Sequence, residues 1–191
     1  MEKNTPSKKA KRDPEGRREK IIAATVEVLA EVGVAKVTHR LIAARAQVPL
    51  GATTYYFPTL QELIRVAVDE VVSQSRQYLA TWTSELERSL DFRKTLADLA
   101  DRYVQDRSRA ILEYEIYVAA ARTEELDPLA RVWRDEVPAL LGRYMDSRAA
   151  KALSVFLNGS MLEAVTSGLP FDRQGLDFAL ESFLNLPVPN N

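Results

Sequence analysis

The side chains best placed to recognise another molecule lie in residues 38–57, THRLIAARAQVPLGATTYYF, which predict two short helices joined by a tight turn. Thr38 can cap the first helix, and Pro49 can open the second because its fixed backbone torsion suits a first helical turn. The second helix, Leu50–Tyr56, carries two threonines and two tyrosines but is too short to be stable alone, so neighbouring helices must hold it. A short polar helix that other helices hold rigidly is suited to the major groove of DNA.

The same pattern is also compatible with a corner of an ordinary helical core, because helix-turn-helix shapes recur in proteins that bind no DNA. The spacing of several residues, however, resembles the DNA-binding segment of the TetR family of bacterial repressors over about residues 17–63. The resemblance is carried by the leading helix IIAATVEVLAEVG, Thr38, Ile42-Ala43, Val48, Gly51, the run Tyr55-Tyr56-Phe57 and Leu63. It implies an all-α fold, in which an N-terminal three-helix DNA-binding domain is followed by a helical domain for ligand binding and dimerisation.

The sequence departs from the family pattern at three positions. Gln47 stands in the turn where the family often has Gly, so this turn must accommodate a side chain. Thr54 stands where a Tyr is usual and Leu60 where a Lys is usual, and in relatives those two side chains touch phosphate. The form LGATTYYF resembles a variant found among actinobacterial members of the family.

Roles on DNA can be assigned from the resemblance and from the residue types. We expect phosphate contacts from Thr38, Arg40, Tyr55 and Tyr56, and base-edge contacts from Leu50, Ala52 and Thr53. Because Ala and Thr methyl groups can meet thymine methyls, the readout would depend on apolar contact more than on Arg pairing with guanine. The full set of predicted DNA-binding residues is Arg17, Thr38, His39, Arg40, Pro49, Leu50, Gly51, Ala52, Thr53, Thr54, Tyr55 and Tyr56.

Composition excludes several classes of site. The chain has no Cys and a single His, His39, which excludes disulfides, thiolate metal sites and His-based clusters, and the sequence predicts no cofactor. No apolar run approaches the ~20 residues that span a bilayer, and the basic N-terminus lacks the apolar core of a signal peptide, so we expect a cytoplasmic protein with no membrane partner. The net charge is −1, yet residues 1–60 carry 11 Lys or Arg against 6 Asp or Glu, which gathers positive charge where DNA would bind.

Helix signals divide the chain into three parts. Residues 1–12 predict a disordered basic tail, residues 13–58 the DNA-binding domain, and residues 59–187 the regulatory and dimerisation domain. A helix should start at Asp13-Pro14 and end at Gly33, and a long helix without Gly or Pro should run over residues 59–88 and join the two domains rigidly. Further helices are predicted over 92–122 with a bend near 105–109, from Asp127-Pro128 with a kink at Pro138, and over 149–167 and 175–184.

The aromatic side chains of the second domain admit two interpretations. They can be ordinary core, or they can line the ligand pocket that the resemblance implies, since Tyr and Trp combine an apolar body with a hydrogen-bonding tip. The set is Tyr78, Trp82, Tyr103, Tyr114, Tyr117, Trp133 and Phe156.

The helix over 149–167 is apolar on more than one face, which also admits two interpretations. It can be buried within one subunit, or it can form a dimer interface with the last helix, as the corresponding pair does in the family. We favour the dimer, because a protein that binds DNA with two domains needs a fixed spacing between them. The predicted interface residues are Leu153, Phe156, Leu157, Met161, Phe178 and Phe183.

No catalytic arrangement is apparent. Glu113 and Glu115 are near in sequence but face apart on a helix, and the glycines form no phosphate-binding pattern. The sequence therefore predicts a homodimeric regulator, a repressor that binds a palindromic operator and is released by a small organic ligand whose identity the sequence does not give. An activator of the same fold, or a helical interaction protein that has lost DNA binding, remain alternatives.

Overall fold

The computed structural model describes residues 13–122 and 126–184, and within them every regular element is helical. The predicted all-α fold is therefore confirmed. The predicted basic tail, residues 1–12, lies outside the described residues. In chain order the helices are α1 Pro14–Val32, a 3₁₀ turn Val34–Lys36, α2 His39–Ala46, α3 Leu50–Tyr56, α4 Leu60–Arg88, α5 Phe92–Gln105, α6 Arg107–Ala119, α7 Asp127–Arg131, a π turn Val132–Glu136, α8 Val137–Leu141, α9 Ser147–Ser167 and α10 Arg173–Leu184. None of these helices combines the length and the apolar character needed to cross a membrane.

Side-chain caps set the starts of several helices, including the predicted caps at Asp13 and Thr38. The carboxylate of Asp13 accepts a hydrogen bond from the backbone N–H of Gly16 at 3.0 Å. Helix α1 ends at Gly33, whose φ of 74° is a conformation that glycine adopts more readily than any other residue. Thr59 caps the long helix α4 in the same way, accepting the N–H of Glu62 at 3.1 Å. Helix α4 contains no interruption, so a single rigid element joins the two parts of the chain.

The turn between α2 and α3 is closed by Gln47 in the left-handed region, with φ of 55°. Among the described residues it is the one non-glycine residue with a positive φ. Its backbone N–H reaches the carbonyls of Ala43 and Ala44, so the hydrogen bonds of the helix end compensate for the strained torsion. A side chain thus occupies the position where Gly is commoner.

Two apolar cores meet on helix α4. The first core joins α1, α2 and α3 to the N-terminal part of α4 through residues such as Ile21, Ile42 and Leu63. The second core gathers α5, α6 and α8 to α10 around the C-terminal part of α4, where Trp82 and Leu86 are buried. Helix α6 also enters the first core with Leu112 and Ile116, so the two cores share both helices.

The kink predicted at Pro138 takes the form of a π turn immediately before it. Proline has no N–H and its ring crowds the preceding carbonyls, so a regular α-helix cannot pass through this position unchanged. The chain widens over Val132–Glu136, and the N–H of Val137 bonds to the carbonyl of Val132 five residues back. This turn aims Trp133 into the second core.

The predicted dimer interface needs correction. Leu153, Leu157 and Met161 are completely buried within a single chain, where they belong to the second core, so the prediction that they face a partner is wrong. Phe156 and Phe183 are half-buried against that core, whereas Phe178 is 73% exposed. An apolar pattern on several faces of α9 could not show which face its own subunit covers.

Candidate DNA-binding surface and ligand cavity

Helix α3 divides into an inward and an outward face. Thr53 is completely buried and its hydroxyl donates to the carbonyl of Leu50 at 2.8 Å, so the prediction that Thr53 faces base edges is wrong. Leu50, Gly51, Thr54 and Tyr55 are exposed, and they lie on one face because they are spaced one, three and one residues apart along a helix. Ala52 and Tyr56 are half-buried at the border between the two faces.

Thr38 and Pro49 stand at the starts of α2 and α3, respectively. Thr38 caps α2 by accepting the N–H of Leu41 at 3.2 Å, as predicted, and Pro49 precedes α3 with its carbonyl accepting from the N–H of Ala52 at 2.8 Å. His39 is half-buried at the first position of α2. The rings of Tyr55 and Tyr56 meet edge to face with their centroids 5.2 Å apart, and Tyr55 is 80% exposed.

The cations on this surface fall into two groups. Arg45 is paired with Glu27 and Glu31 on α1, and Arg18 lies over the ring of Phe57, so neither guanidinium is free to reach phosphate. The side chains of Arg17, Lys20 and Arg40 are exposed and form no ion pair with any residue in 13–122 or 126–184. Arg17 and Lys20 line a polar notch against the α2–α3 turn, next to Gln47.

The second domain encloses a small cavity of about 20 Å³ between α4, α5, α6 and the π turn. Four of the predicted pocket aromatics line it. They are Tyr78, Trp82, Tyr103 and Trp133. Tyr114 lies behind Trp133, with ring centroids 6.4 Å apart, and donates to the carbonyl of Asn158 at 2.9 Å. Tyr117 and Phe156 do not line this cavity, so their inclusion in the predicted pocket is not supported there.

The sequence interpretation missed the charged centre of this cavity, Glu113. Its side chain is only 1% exposed, and its carboxylate accepts from Tyr103 at 3.0 Å and from Arg109 at 3.4 Å. Burial raises the pKa of Glu113, and the Arg109 guanidinium, Ser75 and Tyr103 lower it only in part. The four-residue spacing of Arg109 and Glu113 on one helix was the signal that could have revealed this pair.

A second concavity is open and larger, about 720 Å³, and lies between α6, α9 and the 3₁₀ turn that follows α1. Its walls are mostly apolar and include Ile111, Val118 and Leu162. Gly33 and Glu115 also line it. A Cβ added at Gly33 would lie 3.1 Å from the Glu115 carboxylate, so α6 passes close to the end of α1 here.

Comparisons with known proteins match both parts of the chain. The family described as "Bacterial regulatory proteins, tetR family" matches residues 21–67, and "Tetracyclin repressor-like, C-terminal domain" matches residues 87–186. Among curated proteins, the HTH-type transcriptional regulator BetI of Escherichia coli K12 is 24% identical over 190 residues, which covers 92% of this chain and 95% of BetI.

Solved structures of similar sequence share the whole fold. The multidrug binding protein EbrR complexed with imidazole is 34% identical, covers 94% of this chain and 100% of EbrR, and superposes with a TM-score of 0.74. Other EbrR structures contain ethidium and malachite green. A TetR family member from Streptomyces coelicolor A3, SCO1917, is 33% identical over 89% of this chain and 99% of its own, with a TM-score of 0.76.

Proposed function

This chain belongs to the TetR family of bacterial transcriptional regulators, and we propose that it is a homodimeric repressor that binds a palindromic operator and is released by a small organic ligand. The observation that carries the proposal is helix α4. Its N-terminal part packs under the helix-turn-helix through Leu63 and Ala67, and its C-terminal part lines the cavity through Ser75 and Trp82. A change in the cavity therefore acts on the element that positions α3.

The proposed DNA contacts follow the exposed groups. Leu50, Gly51 and Thr54 would meet base edges, together with Ala52 at the border of the face. Phosphate contacts would come from the unpaired cations Arg17 and Arg40, from Tyr55 and Tyr56, and from the region of Thr38, His39 and Pro49. Apolar and hydroxyl groups dominate the outward face of α3, so the proposed readout depends on thymine methyls more than on bidentate pairs with guanine.

The proposed dimer uses the apolar surface that the chain leaves exposed. Val155 and Leu162 stand seven residues apart on α9, on one face with Gly159, where an added Cβ would meet no atom within 4 Å. Phe178 on α10, the helix that packs against α9, is exposed as well, whereas Phe156 and Phe183 are half-buried. A contiguous exposed apolar surface on a globular domain is typical of an association site, and an antiparallel pairing of these helices would fix the distance between two α3 helices.

Release requires that the ligand bind one conformation better than the other. A ligand that binds equally well to the operator-competent and the operator-incompetent form does not change the equilibrium between them, whatever its affinity. EbrR structures contain aromatic dyes, and the aromatic lining of this cavity supports the same broad class of ligand here.

The test is an electrophoretic shift of the protein's own upstream DNA, titrated with aromatic compounds while tryptophan fluorescence is recorded. The chain has two tryptophans, and both line the cavity, so a ligand there should quench fluorescence in the concentration range that releases DNA. Coupling of about 1–3 kcal/mol would lower operator affinity roughly 5- to 150-fold, and operator DNA would weaken ligand binding by the same factor.

The alternatives give different results in the same experiment. An activator would bind the DNA and raise transcription in a reconstituted assay, and an interaction protein without DNA binding would give no shift with any upstream fragment. A compound that quenches fluorescence equally well with and without operator would show that cavity binding is not the control.

A further inference from the structure

The guanidinium of Arg109 occupies the aromatic cavity. Its Cζ atom lies 4.0 Å from the ring centroid of Tyr78 and 4.9 Å from that of Tyr103, and Nη1 lies 3.4 Å from the buried carboxylate of Glu113. Only 16% of the Arg109 side chain is exposed. A flat delocalised cation thus lies against two aromatic rings and beside one buried carboxylate, which are the groups that recognise such cations.

The space left beside this guanidinium is too small for any organic molecule. The cavity of about 20 Å³ has room for roughly one water, whereas sites for organic ligands measure about 300–1,000 Å³. The indole N–H of Trp82 and the Nη2 atom of Arg109 are buried here with no hydrogen-bond partner among the described residues. The indole N–H of Trp133 faces the Glu113 carboxylate but does not reach normal hydrogen-bond geometry. Unpaired buried donors are energetically costly, so an optimised apolar core would not contain them. This packing is better described as a ligand site that the Arg109 side chain fills.

We propose that Arg109 is an internal occupant of a binding site for planar aromatic cations, and that such a ligand binds by displacing the Arg109 side chain outwards to Asp106. The proposal rests on the ligand cavity of the proposed function and specifies the class of ligand that it takes. The ligand's charge replaces that of Arg109 opposite Glu113, so no buried charge is left unpaired. A neutral molecule of the same shape would leave the carboxylate without a cation, which selects against it.

The displaced guanidinium already has a partner on the surface. The Nε atom of Arg109 lies 3.2 Å from Oδ2 of Asp106, whose side chain is 58% exposed at the break between α5 and α6. A rotation of the side chain about its first torsions can therefore retain this ion pair while removing the head group from the rings. The α5–α6 junction becomes the entrance of the site.

The displacement takes place on a helix that contacts the DNA-binding domain. Arg109 and Glu113 lie on the same side of α6 as Leu112 and Ile116, which pack into the first core beside α1. A ligand that enters between Glu113 and the rings must separate α6 from α4 or α5. That separation changes the packing between α6 and α1. Ligand binding can therefore affect the operator-binding surface through α6 as well as through α4.

The test measures the binding of ethidium, a planar cation, to the full-length protein by fluorescence anisotropy, with the neutral dye Nile red as the uncharged comparison. Arg109→Met removes the internal competitor at similar length and should tighten ethidium binding about tenfold, because the open state no longer has to be formed against Arg109. Glu113→Gln should weaken ethidium about tenfold or more but change Nile red little. The matched control is Arg102→Met, an exposed Arg paired with Glu85 outside the cavity, which should leave both dyes unaffected.

Asp106→Asn tests the outward position of the displaced side chain. Asn still caps α6, so the helix start is retained while the ion pair with Arg109 is lost, and ethidium should bind several-fold more weakly. Where Arg109→Met does not fold because Glu113 is left unpaired, the double variant Arg109→Met/Glu113→Gln keeps the cavity neutral. That variant should bind Nile red more tightly than the natural protein does and should show no preference for ethidium.

Ethidium binding that is unchanged or weaker in folded Arg109→Met would overturn the proposal, since Arg109 would then be a structural or ligand-binding group. Equal Nile red binding by the natural protein and the double variant would overturn it as well. Operator shifts by the same proteins without dye distinguish this outcome from failure of the proposed function. Loss of the shift in the natural protein refutes the regulator, whereas release of operator by dyes with no dependence on Arg109 refutes only the internal occupant.

Discussion

Oγ of Ser75 lies 2.8 Å from Oε1 of Glu113, so a hydroxyl on α4 meets a buried carboxyl on α6. The same Oγ lies 2.9 Å from the carbonyl oxygen of Val71. A serine hydroxyl has one hydrogen and cannot fully satisfy two acceptors. Ser75 therefore shares its hydrogen between the Val71 carbonyl and the Glu113 carboxylate, and this incomplete compensation leaves burial as the dominant effect, which raises the pKa of Glu113.

The first prediction is that Glu113 makes the stability of the protein depend on pH. A carboxyl group whose pKa is raised by folding contributes stability below its unfolded pKa, ordinarily 4.5, and that contribution is lost as the pH rises through the folded pKa. The natural protein should therefore lose unfolding free energy, relative to Glu113→Gln, as the pH rises from about 4.5. The groups that face Glu113 are Ser75 on α4, Tyr103 on α5, Arg109 on α6 and the indole of Trp133 in the π turn. Burial raises the pKa of Tyr103 further from this range.

Urea unfolding of both proteins across a series of buffers measures the difference. Titration of the surface carboxylates affects both proteins alike and cancels in the comparison. Parallel stability profiles would show that folding leaves the pKa of Glu113 unchanged, which would contradict the prediction.

The second prediction concerns Arg40, which is exposed and free of ion pairs within the described part of the chain. Arg40→Ala should weaken binding to all DNA sequences alike and flatten the dependence of log K on log salt by about one unit, because one phosphate contact is lost. Arg45→Ala is the matched control on the same helix. Its guanidinium is engaged by Glu27 and Glu31, so the salt slope should not change. A changed base preference in Arg40→Ala would place that side chain against bases.

The third prediction separates the two faces of α3. Thr53→Ala removes a buried methyl group and hydroxyl and should lower the free energy of unfolding by about 1–3 kcal/mol. Leu50→Ala, at a residue that is 46% exposed, should leave stability within about 0.5 kcal/mol but weaken binding at operators that present thymine methyls. Chemical unfolding and binding to operator variants test the two residues separately. A stable Thr53→Ala with altered base preference would reverse the assignment of the faces.

Much of this organisation was predictable because it depends on local chemistry. The caps at Asp13 and Thr38 are fixed by a single side-chain oxygen and the next free N–H groups, so sequence spacing was sufficient. The uninterrupted α4 followed from the absence of Gly and Pro. Gln47 could be placed in the turn because it breaks the helical pattern before Pro49, at a position where the family often has Gly.

The errors concern which face of a helix is covered. Helix α3 has seven residues, less than two full periods, so its pattern could not show that Thr53 rather than Thr54 points inwards. Helix α9 is apolar on several faces, and only the packing of the rest of the chain around Met161 shows which face is buried. Glu113 was compared only with Glu115, whereas its partner lies one helical turn earlier at Arg109.

The last prediction concerns assembly and is tested at Phe178, the most exposed of the predicted interface residues. Phe178 is largely exposed on α10, so Phe178→Arg leaves the core of the single chain intact and inserts a charge into the proposed contact between two copies. An unpaired charge buried there should cost about 3–5 kcal/mol, which is enough to dissociate a dimer. Light scattering should show a folded monomer, and operator binding should be lost because two α3 helices are no longer held at a fixed spacing. The control is Leu90→Arg, at a fully exposed leucine between α4 and α5, which should remain dimeric with normal DNA affinity. A dimeric Phe178→Arg with unchanged operator binding would place the interface on another surface, such as the open groove lined by Val118.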